Sequence, residues 1–221
     1  VIHADEKSYL SRPLLMAWCC WLLGSWMVNL DIDAPRWISD DALIPASRGM
    51  FLSMMLGVGL IWPAWRLSMP LDHDASPGLQ TATDLISLLA IAQLVIWPLR
   101  ALLGWPAVMA LLIDTALIVW AGAGALCVWG GLVGRSPASR TMGMAMAAVM
   151  LTGGPMLAAL TGTVEPARWS GLHVMWTVSN GGLSIAEADA MIIRLAITGL
   201  IVGVTLVMMR HHLRPGGPTT V

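Results

Sequence analysis

The chain alternates long apolar blocks with short polar breaks. Six blocks reach or approach the roughly 20 residues that a helix needs to cross a hydrocarbon layer about 30 Å thick. They cover about 14–30, 49–67, 83–103, 106–134, 141–162 and 188–210. Backbone polar groups inside such a layer must be satisfied within the segment, which helices do and isolated strands do not. The expected fold is therefore all-α, a polytopic transmembrane helical bundle of six spans forming one membrane domain over 1–221. Pro63 near the end of the second block weakens that span, and the fourth is long enough to tilt.

The breaks carry local signals. Thr81-Ala-Thr-Asp84 reads as a cap opening the third span, and Ser184-Ile-Ala-Glu187 as a capping box before the sixth. Gly104-Trp105-Pro106 reads as a tight hairpin, with Pro106 suited to the first turn of the next helix. Gly153-Gly154-Pro155 is expected to kink or break the fifth span. The segment 163–187 reads as an external loop that folds back as a short interfacial helix or lid. Leu14–Leu30 is long for the core of a signal peptide and no small-x-small cleavage site follows it, so it reads as a retained helix.

Composition supports the apolar reading. Only 11% of the 221 residues are charged, 57% are hydrophobic and mean hydropathy is +0.75. A soluble domain carries about a quarter of its residues as charges, so this surface is too poor in charge to face water. Positive residues near the span ends then set orientation. Lys7, Arg12, Arg66, Arg135, Arg140, Arg210 and Arg214 fall on one side, against Arg36, Arg48, Arg100, Arg168 and Arg194 on the other. That bias predicts N-in/C-in, and the expected location is a bacterial inner (cytoplasmic) membrane.

Several chemistries are excluded on residue supply. The single lysine, Lys7, lies outside every span, so an intramembrane Schiff base has no amine. His3, His73, His173, His211 and His212 all lie in loops or tails, which removes bis-histidine haem and a serine–histidine intramembrane protease. Cys19, Cys20 and Cys127 form no CxxC and read as small apolar packers. With a net charge of −1 and no basic stripe, no nucleic-acid partner is expected. No catalytic residue, metal or cofactor is predicted, and a lipid or pigment between helices stays open.

Three constellations remain. Arg100 and Asp114 lie on adjacent, antiparallel spans, with side chains leaning towards one another, and Arg194 on the sixth span stands available to join them. Charges within a span are by default a substrate or proton site, the plainer account being an ion pair that pins the hairpin. Asn29-Leu30-Asp31-Ile32-Asp33 follows the first span. Its Asp-x-Asp resembles the acidic motif of membrane glycosyltransferases that use lipid-linked sugars, which implies an outer-face transferase using Asp31 and Asp33. A solvated acidic loop accounts for the same three residues. Met142, Met146 and Met150 form an i, i+4 stripe, a soft-donor pattern, though the sequence places no span histidine or cysteine beside it.

The expected function is an integral subunit of a larger membrane complex, structural or passage-forming, with membrane lipids and other membrane subunits as partners. The alternatives are a small-solute or ion transporter near Arg100 and Asp114, and the outer-face transferase. An enzyme is the less favoured class.

Overall fold

The computed structural model describes residues 11–29, 40–69, 76–179 and 185–212, and among them there is helix and no strand. The elements run α1 (Arg12–Asn29), α2 (Asp40–Leu56), a π-helical turn (Gly57–Ile61), α3 (Trp62–Ser68), α4 (Pro77–Leu102), α5 (Ala107–Val133) and α6 (Pro137–Thr161). A 3-10 turn (Ala167–Trp169), α7 (Gly171–Ser179) and α8 (Ile185–His212) follow. Among the described residues, four helical stretches are long and apolar enough to cross a membrane: Leu43–Ser68, Pro77–Leu102, Ala107–Val133 and Pro137–Thr161. The described residues are all-helical, and these four stretches mark a membrane protein.

α5 is the axial helix, touching α2, the π turn, α3, α4, α6, α7 and α8. Its small residues make this possible, because Ala116, Ala121, Ala123 and Gly124 are buried and let neighbouring backbones approach. α1 lies outside this core and packs a stripe of Leu14, Trp18, Leu22 and Ser25 against it. Two of its tryptophans find backbone acceptors: Trp18 Nε1 donates to Leu88 O at 3.1 Å, and Trp21 Nε1 to Ser53 O at 2.9 Å.

The second apolar block is one helical run with a widened turn in it. A proline clashes with the carbonyl four residues back and withholds its own N–H. For Pro63 that carbonyl belongs to Gly59, inside the π turn, whose looser winding accommodates the ring. Pro63 therefore does not end the span.

Several boundaries differ from expectation. α4 starts at Pro77, with Ser76 as its cap residue, so Thr81 and Asp84 lie within the helix and cap nothing. Thr81 Oγ1 instead donates to Pro77 O at 2.8 Å. α6 begins at Pro137, where the Ser136 side chain accepts from Ser139 N, a cap lying ahead of the expected start at 141. Gly153-Gly154-Pro155 does not interrupt α6, which stays helical to Thr161. Gly154 serves a close approach: a Cβ there would stand 2.6 Å from Pro166 O, so its absence lets the 3-10 segment lie against the helix.

The hairpin between α4 and α5 forms as read, with Gly104 at φ 62° and Trp105 N donating to Arg100 O at 3.1 Å. Pro106 is the residue before α5 and not its first turn. Between α6 and α8, α7 buries Val174, Met175 and Val178 against the bundle. Ser184 of the expected capping box lies outside the described residues.

Candidate functional site

Two polar centres lie inside the apolar stretches. The first joins the end of the second stretch to α4. Trp62 and Arg66, one turn apart on α3, share a face. Arg66 Nε stands 3.2 Å from Asp84 Oδ2, with both side chains more than nine-tenths buried. The contact is within ion-pairing range but off the line of a hydrogen bond, and Arg66 Nη2 has no hydrogen-bond partner. The buried indole N–H of Trp62, also without a hydrogen-bond partner of good geometry, faces the same carboxylate. At about 1.5 Å per residue, Asp84 lies about 10 Å beyond the start of α4. A guanidinium, an indole and a carboxylate thus converge where little else is polar, with donor capacity left over.

This centre was missed in the sequence, where Arg66 counted as a charge at the membrane edge and Trp62 was not singled out. Both are buried. Arg66 is neutralised by Asp84, so it drops out of the charge bias that predicts orientation. The available signal was a Trp-x-x-x-Arg pair lying within a hydrophobic run, followed by one acid within the next.

The second centre spans α4 and α5. Gln93 Nε2 donates to Asp114 Oδ1 at 2.9 Å, and Gln93 Oε1 accepts from Trp97 Nε1 at 2.8 Å. The Arg100 guanidinium stacks over the Trp97 ring, 5.5 Å from its centroid. Asp114 and Arg100 therefore belong to one strip, but Gln93 and Trp97 stand between them and they form no ion pair. Unlike the first centre, this strip faces outwards: Trp97 and Thr115 are exposed, and Gln93, Arg100 and Asp114 are half-buried.

Arg194 does not join this strip. Its guanidinium stacks on Trp169 of the 3-10 turn, 5.9 Å from the ring centroid. Arg48 of α2 stacks likewise on Trp176 of α7, at 4.6 Å. Nearby, Arg168 pairs with Glu165, and Arg168 and Arg194 both act on His173. Burial, then these two arginines, hold the His173 pKa below its ordinary value of 6.5.

The methionine stripe gains a neighbour that the sequence did not place. Cys127 Sγ of α5 lies 3.8 Å from Met150 Sδ of α6, and both line a groove of about 410 Å³ with Met142 and Met146. Soft donors are thus gathered, in a setting where sulfur side chains also serve as packing. Among the described residues, no group of three or more His, Cys, Asp or Glu stands together. Asp31 and Asp33 lie outside the described residues.

Compared with protein-family models, with curated proteins and with solved structures, the chain matches none at a significant level.

Proposed function

We propose that this chain is a subunit of a larger membrane assembly, crossing a bacterial inner membrane six times with both termini on the cytoplasmic side. α1 and α8 supply the crossings beyond the four apolar stretches. The observation that carries the reading is the outward-facing strip Gln93–Trp97–Asp114. A charged side chain near the middle of a bilayer costs about 2.5–3.5 kcal/mol on insertion scales, and such residues usually face protein or a watery cavity. Asp114, about 10 Å along α5 from its start, is half-buried at the outer edge of the α4–α5 contact, between the exposed Leu111 and Ile118. A neighbouring protein removes that cost.

The test is purification of the tagged chain from native membranes in mild detergent. The expected result is one or more membrane proteins recovered in fixed ratio. A monodisperse single species from native membranes would overturn the reading.

A second reading, transport of a small ion or solute, is favoured by the first centre. Trp62 and Arg66 leave buried donors beside Asp84, which suits a group that takes up a proton, water or small anion in turn. The chain reconstituted alone would then carry a flux abolished by Asp84→Asn and retained in Asp114→Asn. That result would move transport from Arg100, Asp114 and Arg194 to the Arg66–Asp84 pair.

A further inference from the structure

We infer that the α4–α5 strip receives a transmembrane helix of a different protein, bearing a lysine or arginine that pairs with Asp114. This rests on the subunit reading and adds the face used and the chemistry of the partner.

The carboxylate is presented in a fixed position. Gln93 is held at both ends of its amide, giving its N–H to Asp114 and taking the Trp97 N–H on its oxygen. An ionised carboxylate has about four lone-pair sites. Among the described residues, Gln93 is the side chain that donates to Asp114, so most of this capacity is left for a further donor. Leu111 and Ile118 flank Asp114 one turn to either side on α5, both 53% exposed, and Leu94 of α4 is 74% exposed. Leu111 and Thr115 also line the groove between α5 and α8, so the half-buried Asp114 lies at the α4 edge of an exposed and mostly apolar surface.

Charge decides the occupant. A second copy docking by two-fold symmetry would bring two Asp114 carboxylates together, and like charges in an apolar layer repel strongly. Lipid headgroups stay at the membrane surface, whereas Asp114 lies two turns into α5, between the exposed apolar residues Leu111 and Ile118. A basic side chain on a spanning helix reaches the depth, cancels the charge and adds charge-assisted hydrogen bonds.

A photo-crosslinking amino acid is placed singly at Leu111, at Ile118 and, as a control on α6, at the 64%-exposed Val149. The full chain is irradiated in native membranes. Adducts from positions 111 and 118, but not 149, are expected on a transmembrane peptide containing Lys or Arg. Asp114→Asn, which preserves an acceptor for Gln93, should cut adduct yield about tenfold or more, the effect of ~1.4 kcal/mol. Asp114→Lys should abolish the adduct, and replacing the partner's basic residue with Asp should restore it. Adducts to a second copy, to lipid alone or to a segment without a basic residue overturn the inference, as does an undiminished yield in Asp114→Asn. A fixed-ratio partner that crosslinks through Val149 defeats this inference and leaves the subunit reading standing. Absence of any partner defeats both.

Discussion

Arg66 and Asp84, 18 residues apart in the chain, meet at 3.2 Å in the buried interior, with Trp62 facing the same carboxylate. Removing one member of a buried pair strands the other, at about 3–5 kcal/mol, whereas replacing both by apolar groups of similar size is often neutral or better. Arg66→Met alone and Asp84→Leu alone are each expected to lower thermal stability in detergent sharply. The double variant should recover most of the loss, and a double-mutant cycle of melting curves checks this. Additive losses would show that the two side chains do not act as a pair.

The apolar blocks were legible because crossing helices need length and hydrophobicity, and four of them stand as long apolar helices. What the pattern obscured was polar residues with two readings. Thr81-x-x-Asp84 has the spacing of a cap, but Pro77 starts the helix a turn earlier and Asp84 turns inwards to Arg66. Arg100 and Asp114 were visible as charges inside spans. Their connection through Gln93 and Trp97 was not, since helix lean alone cannot show that an amide stands between them. Cys127 beside Met150 was also hidden, because facing positions on two helices depend on their relative rotation.

Gly143 permits the close contact of α5 and α6. A Cβ at this position would stand 2.7 Å from Cys127 O, a backbone atom that cannot swing aside. Overpacking of this kind costs about 1–3 kcal/mol. Gly143→Ala should lower the melting temperature, while Gly24→Ala, with open space around it, should hold or raise it through better helix propensity. Equal behaviour of the two variants would remove the close approach as a reason for glycine.

The turn at Gly104 offers a separate check on the α4–α5 hairpin. Its φ of 62° lies in the left-handed region, where a Cβ costs about 1–2 kcal/mol. Space is not the constraint, since nothing lies within 4 Å of a Cβ built there. Gly104→Ala should therefore destabilise by backbone strain alone, and Gly104→Asn by less, because Asn tolerates this conformation. Thermal melts of the two variants decide it, and a loss in Asn as large as in Ala would count against the strained turn.

His173 makes stability depend on pH in a fixed direction. Its folded pKa is lowered by burial, then by Arg168 and Arg194, from an ordinary 6.5. Between the folded and unfolded pKa values the unfolded chain holds more protons, so stability rises with pH in that window. The contribution is complete above about 6.5 and is lost as pH falls through the lower, folded value. Melting temperature in detergent should drop from about pH 8 to about pH 5, and His173→Gln should flatten the part of that drop due to this residue. Arg194→Met removes one of the two positive charges and should make the decline shallower, unless the loss of its stacking on Trp169 dominates at every pH. That alternative appears as a uniform downward shift with the same slope, so the slope and not the absolute melting temperature is the quantity that tests the electrostatic account.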